Sequence, residues 1–239
     1  MKYTLEIHRQ LSPREQPYVQ TFLYETELMG ATVATALSAL NERSPLCDTE
    51  GKPCDKIVWE CSCLQQKCGA CAMLINGKPQ LACRANLAAQ KGAVIRLEPL
   101  RKFPLVADLM VDRDSMFDSL RELQLWAEGN ASAREKNNSL LYEASRCLQC
   151  GCCLEVCPNF EVGGSFFGAA AMVPASRLLE ELDPTQGKQL RKQYGKRFFN
   201  GCGKSNACRE ICPAGIDTER LMVNSNAVFL WKHLFRKQR

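Results

Sequence analysis

Fifteen of the 239 residues are cysteine and only two are histidine. Thiolate sulfur is a soft ligand, and closely spaced thiolates suit iron–sulfur clusters or zinc. The cysteine count is odd, and the start, Met1-Lys2-Tyr3-Thr4-Leu5-Glu6, alternates like a strand with no apolar core of a leader. A disulfide framework is therefore not expected. Zinc sites commonly mix cysteine with histidine, and two histidines leave little room for that. His8 and His233 stand at opposite ends of the chain with no acid, base or nucleophile pattern around them.

The cysteines fall into three groups. The middle one reads Cys147-Leu-Gln-Cys150-Gly-Cys152-Cys153-Leu-Glu-Val-Cys157-Pro158. Without Cys152 this is C-x2-C-x2-C-x3-C-P, the spacing of bacterial ferredoxins. Three thiolates in one tight loop can grip three corners of a cubane. The fourth, a helical turn further on, faces away and ligates the other cluster of a pair. The last group, Cys202-Gly-Lys-Ser205-Asn-Ala-Cys208-Arg-Glu-Ile-Cys212-Pro213, repeats the frame with Ser205 in the second cysteine position. Reciprocal ligation then assigns Cys147, Cys150, Cys153 and Cys212 to a [4Fe–4S] cluster. Cys157, Cys202 and Cys208 leave one corner without a thiolate and point to [3Fe–4S]. A serine alkoxide could hold a fourth iron, but a hydroxyl gives up its proton far less readily than a thiol.

The first group contains Cys63-Leu-Gln-Gln-Lys-Cys68-Gly-Ala-Cys71 and then Cys83, a C-x4-C-x2-C…C pattern of the plant-type [2Fe–2S] kind. Gly69 lets the backbone wrap closely enough for amide N–H groups to point at sulfur. Of the cysteines left over, Cys152 reads as a small packed residue beside a cluster, and Cys47, Cys54 and Cys61 as free buried or surface thiols, with a fourth metal site as the alternative.

These loops need elements to hold them. Tyr3, Leu5 and Ile7 alternate, as do Val19, Thr21 and Leu23, which predicts two strands. Residues 32–40 predict a helix with Val33, Ala36, Leu37 and Leu40 on one face and Thr32 as its cap. Met73-Leu74-Ile75-Asn76-Gly77-Lys78 predicts a hairpin, because Asn-Gly accepts the positive φ angles of a type I′ turn, and this hairpin returns Cys83 to its partners. A closing strand carries Ile95 and Leu97. From Leu105 onward strand signals vanish, and helices are expected over 116–126, 140–146, 174–182 and 217–235. The reading is an α+β domain over 1–106 followed by an all-α domain over 107–239.

Composition sets outer limits. At 46% apolar and 24% charged residues the chain can build cores, so disorder is excluded. The longest weakly polar stretch, 166–175, is far shorter than the ~18 residues of a spanning helix. A net charge of +5 argues against nucleic acid or another large polyanion as partner. The tail from Val228 is amphipathic, and Lys232, Arg236, Lys237 and Arg239 in it meet no acid. It reads as a solvated helix end or as a contact with a membrane anchor and anionic lipid.

Taken together, the order of the three cysteine groups, Ser205, and the stretches Met73-Leu74-Ile75-Asn76-Gly77-Lys78, Ala107-Asp108-Leu109-Met110-Val111-Asp112 and Phe167-Gly168-Ala169-Ala170 resemble the iron–sulfur subunit of the succinate dehydrogenase/fumarate reductase family. The resemblance covers nearly the whole length. It implies a β-grasp, plant-type ferredoxin domain and then a bacterial-ferredoxin-like helical domain. It also implies a flavoprotein partner with covalent FAD, a membrane cytochrome b anchor often carrying haem b, and a place on the cytoplasmic face of the membrane. The chain would pass single electrons between flavin and quinone through [2Fe–2S], [4Fe–4S] and [3Fe–4S], with no substrate chemistry of its own. Pro158, Phe160, Gly203, Lys204 and Ser205 would lie beside the quinone. Ubiquinone-linked members carry tryptophan shortly after the Pro158 position and histidine at the Gly203 position. Asn159-Phe160-Glu161-Val162 and Gly203 depart from that and fit menaquinone-linked members, which often run as fumarate reductases. Two alternatives are a related flavoprotein complex reducing another enoate and a stand-alone multi-cluster ferredoxin.

Overall fold

The computed structural model describes residues 1–126, 138–182 and 187–234. The chain divides into two compact units, Met1–Arg113 and Asp114–Arg239.

The first unit is built on a five-stranded mixed sheet. Strands β1 (Lys2–Arg9) and β2 (Tyr18–Glu25) come first, then helix α1 (Val33–Glu42) and two short strands, β3 (Leu46–Cys47) and β4 (Pro53–Cys54). A hairpin of β5 (Ala72–Ile75) and β6 (Lys78–Leu81) follows, and then β7 (Val94–Glu98). The sheet order is β2-β1-β7-β5-β6, with β1 and β7 parallel and the other neighbours antiparallel. Alternation explains the register, because Leu5, Ile7, Phe22, Ile95 and Leu97 all face inward and are buried with Val33, Leu37 and Leu40 of α1. Asn76 and Gly77 turn the hairpin at φ +51° and +74°.

Thr32 caps α1 in a capping box, its hydroxyl accepting from the Thr35 amide at 3.2 Å. The amides of Val33 and Ala34 donate to the carbonyls of Ala85 and Ala82 at 2.9 and 3.0 Å. Helix donors that have no partner within the helix are thus satisfied by the backbone around Cys83, which fixes that cysteine to the start of α1.

The first unit does not stop at residue 106. A hairpin of β8 (Leu105–Ala107) and β9 (Met110–Val111) follows the sheet, where the sequence predicts no strand. Two- and three-residue strands carry too little alternation to be read. Tertiary bonds fix them instead. Asp108 and Arg9 are both fully buried and paired at 3.1 Å, and Asp108 also accepts from the amides of Gln10 and Val58 at 2.9 and 2.8 Å. Arg9 completes its donors on Gln20 and on the carbonyls of Asp55 and Lys56. Removing one member of so buried a pair destabilises by about 3–5 kcal/mol.

The second unit is helical: α2 (Asp114–Glu122), α3 (Asn138–Ser145), α4 (Cys152–Glu155), α5 (Gly168–Glu181), α6 (Gly187–Tyr194), α7 (Ala207–Glu210) and α8 (Thr218–Leu234), with a π turn at Gly195–Phe199. Helix α2 stops short of the predicted residue 126, since Gln124 takes φ +50°. Helix α5 starts six residues before the predicted 174, leaving Pro174 inside it. The polar helix α6 and the π turn after it are absent from the sequence reading. Alanines 169, 171 and 175 with Met172, Val173, Leu178 and Leu179 form the centre of the core, against which Cys147, Cys153, Cys208 and Cys212 pack. Among the described residues no helix is long and apolar enough to cross a membrane. Residues 235–239 of the basic tail lie outside the described residues.

Candidate iron–sulfur centres

In the first unit the loop before β5 curls around Cys63. Leu64, Gln66 and Gly69 take φ values of +52°, +61° and +78°, and this alternation turns successive amides inward. The amides of Gln65 and Lys67 both donate to Cys63 Sγ at 3.3 Å. Those donors hold the Cys63 thiol down to about 7. On the other side Cys71 and Cys83 are buried with their sulfurs 3.4 Å apart, unbridged. Two sulfurs on one tetrahedral metal, at about 2.3 Å from it, lie about 3.8 Å apart, so little movement is needed. Burial pushes the Cys71 thiol up to about 12, and a metal that binds there must displace its proton. Cys68 is exposed.

Arg113 holds this loop from behind. Its guanidinium donates to the carbonyls of Gly69 and Ala70 at 3.1 and 2.9 Å and pairs with Glu60. No motif in the sequence marks Arg113 for that role.

In the second unit the two cysteine-rich loops have the same backbone. Gln149 and Gly151 have φ +50° and +84°; Lys204 and Asn206, at the same places in the frame, have +56° and +57°. Each loop runs into a one-turn helix, α4 or α7, that carries the next cysteines. One cavity, with about 400 Å³ of empty space, is lined by Cys147, Cys150, Cys153 and Cys212. A second, with about 630 Å³, is lined by Cys157, Cys202 and Cys208, with Ser205 at its edge. Among the described residues no three Cys, His, Asp or Glu side chains converge as donors to one metal ion would. The sulfurs of the second unit are instead distributed around the walls of the two cavities.

The cavity walls suit a negatively charged guest. The first turn of α5, at Gly168 and Ala169, and the first residue of α8, Thr218, line them. Both helices thus present the positive ends of their dipoles and amides without a helical partner. Gly168 is required at its place. It has φ +70°, and a Cβ there would lie 2.2 Å from Leu154 Cδ2.

Side-chain donors complete the picture. Gln149 Nε2 donates to Cys147 Sγ at 3.2 Å and to Ala170 O at 2.8 Å. Pro174 has no N–H for the Ala170 carbonyl four residues before it, so Gln149 replaces the missing helix bond. Burial raises the Cys147 thiol to about 11 and also pushes the Cys153 thiol well above its ordinary value. Burial also raises Cys208, and the Thr218 hydroxyl partly holds it back. Cys152 is fully buried.

The five residues assigned beside the quinone do not form one group. Gly203, Lys204 and Ser205 are exposed at the lip of the second cavity, and Pro158 is exposed. Phe160 is buried and lines a separate cavity with Ser115, Glu122, Phe167 and Arg197. A Cβ on Gly203 would meet Asn159 Oδ1 at 3.2 Å, so Asn159 occupies the space into which a side chain at 203 would grow.

A sheet domain with a thiol loop, followed by a helical domain with two thiol-lined cavities, defines a multi-cluster iron–sulfur protein of the electron-transfer class. Two family profiles agree: a "2Fe-2S iron-sulfur cluster binding domain" over residues 4–118 and a "4Fe-4S dicluster domain" over 143–216. The succinate dehydrogenase iron–sulfur subunit of Bacillus subtilis is 35% identical over 224 residues, covering 88% of this chain and 85% of the relative. The fumarate reductase iron–sulfur subunit of Haemophilus influenzae is 32% identical, covering 65% and 68%. In fold, the chain matches one in the Mycobacterium smegmatis Sdh1 complex with a TM-score of 0.74 at 19% identity, covering 97% of each. The chain belongs to the succinate dehydrogenase/fumarate reductase iron–sulfur subunit family, whose members are subunits of oxidoreductase complexes.

Proposed function

We propose that the chain carries single electrons between the FAD of a flavoprotein subunit and menaquinone at a membrane anchor. Cys63, Cys68, Cys71 and Cys83 hold a [2Fe–2S] cluster; Cys147, Cys150, Cys153 and Cys212 hold [4Fe–4S]; Cys157, Cys202 and Cys208 hold [3Fe–4S]. These clusters, when bound, supply one-electron steps at potentials set by type, charge, hydrogen bonds and burial. The observation that carries the reading is the partition of seven cysteines between two cavities, four in one and three in the other, with Cys157 and Cys212 each lining the cavity of the opposite loop.

The protein's own residues then have clear duties. The Gln65 and Lys67 amides and Arg113 set the shape of the first loop. The α5 and α8 termini offset negative charge at the other two sites. Electrons enter at the first unit and leave at the second, where Gly203 and Ser205 give access to the third site. The chain sits on the cytoplasmic face of the membrane, held by a cytochrome b-type anchor that often carries haem b.

Metal and acid-labile sulfide assays with EPR spectroscopy of the purified complex test the ligand assignment. The expected result is three distinct signals and about nine irons per chain. Zinc, or no labile sulfide, overturns it. For the quinone, Gly203 and Glu161-Val162 support menaquinone. A complex that reduces ubiquinone analogues and ignores naphthoquinones refutes that part alone.

A further inference from the structure

Thr218 is 3% exposed and is the first residue of α8. Among the described residues, only it and Ala169 line both thiol cavities of the second unit. Ala169 offers no polar side-chain atom to either. Thr218 Oγ1 lies 3.2 Å from Cys208 Sγ, its one side-chain hydrogen-bond partner among the described residues. With a free thiol, either atom could donate. A cysteine that holds iron is a thiolate and has no proton left to give, so the hydroxyl must then be the donor.

A hydrogen bond donated to a ligand sulfur withdraws charge from it. The reduced cluster, which carries one more negative charge, gains more from that bond than the oxidised one, and the potential rises. The bond reaches Cys208 only. Thr218 borders the other cavity too, but its hydroxyl is committed away from Cys147, Cys150, Cys153 and Cys212.

We infer that Thr218 is a positioning residue for the third site, its hydroxyl on Cys208 raising the potential of the cluster held there while leaving the neighbouring one alone. The inference rests on the proposal that Cys157, Cys202 and Cys208 hold [3Fe–4S]. It gives the wall between the two sites a direction, because an electron is held more firmly on the Cys208 side.

EPR-monitored redox titration of the whole complex tests this with wild type, Thr218→Val and Thr218→Ser. Thr218→Val keeps the shape and removes the donor. It should shift the redox equilibrium of the three-iron signal about three- to tenfold toward the oxidised form, a fall of about 30–60 mV for one electron. Thr218→Ser should restore the wild-type value, and the four-iron potential should not move. Pulsed EPR in D2O should also reveal an exchangeable deuteron coupled to the three-iron cluster in the wild type and in Thr218→Ser that is lost in Thr218→Ala, a comparison that stands even if Thr218→Val fails to assemble. A wild-type three-iron signal with no such deuteron, or with the same potential in Thr218→Val, overturns the role of Thr218 and leaves the ligand assignment standing. A wild type with no three-iron signal overturns the ligand assignment, and the inference falls with it.

Discussion

The loops from Cys147 to Cys157 and from Cys202 to Cys212 share a frame and a pattern of left-handed residues, yet their side chains work differently. In the first, Cys150 is buried, Gln149 bonds both Cys147 Sγ and the carbonyl freed by Pro174, and Cys152 is buried. In the second, Ser205 and Lys204 are exposed, and Ala207 replaces the packed cysteine. The first loop is tied down by its own side chains. The second is exposed at Lys204 and Ser205, and its Cys208 meets a hydroxyl from outside the loop, that of Thr218 on α8. A repeated backbone thus carries two different sets of side chains, one buried and bonded within its own loop, the other exposed and bonded from a neighbouring helix.

The strongest way to break the contrast is to supply the missing thiol. Ser205→Cys should abolish the three-iron EPR signal, add a second four-iron signal and raise iron from about nine to about ten per chain. Persistence of the full three-iron signal would mean that the exposure of position 205, rather than its side chain, decides the cluster type. Next comes Gly168→Ala, which combines an unfavourable φ with a clash against Leu154 of the first loop. It should destabilise by about 2–4 kcal/mol in denaturant melts. Gln149→Leu should be milder. It leaves Ala170 O unsatisfied, at about 1–3 kcal/mol, and lowers the four-iron potential without moving the three-iron one. Smallest is Lys204→Gly, which relieves a left-handed residue that makes no comparable bonds and should raise stability by under about 1 kcal/mol in the same melts. Gln149→Gly, at the equivalent angle, should go the other way.

Much of this was legible in the sequence because it is local. The cysteine spacings, the Asn76-Gly77 hairpin, the Thr32 cap and the alternation of β1 and β7 each declare themselves within a dozen residues. What stayed hidden depends on partners far along the chain. The β8–β9 hairpin exists because Asp108 meets Arg9, 99 residues away. Pro174 reads as a helix start, whereas α5 begins at Gly168 and the Ala170 carbonyl that Pro174 cannot serve is bonded by the Gln149 amide from another loop. Thr218 and Arg113 belong to no motif, and Gln149 occupies a variable position within one, so the type of these donors is not marked in the text.

Arg113 has a practical corollary. The guanidinium that grips the carbonyls of Gly69 and Ala70 belongs to the final residue of the first unit. Anyone excising that unit as a free-standing miniature redox protein should therefore cut after residue 113. A cut at 106, where the sheet alone suggests a natural end, discards both the clasp behind the thiol loop and the buried counter-charge of Arg9.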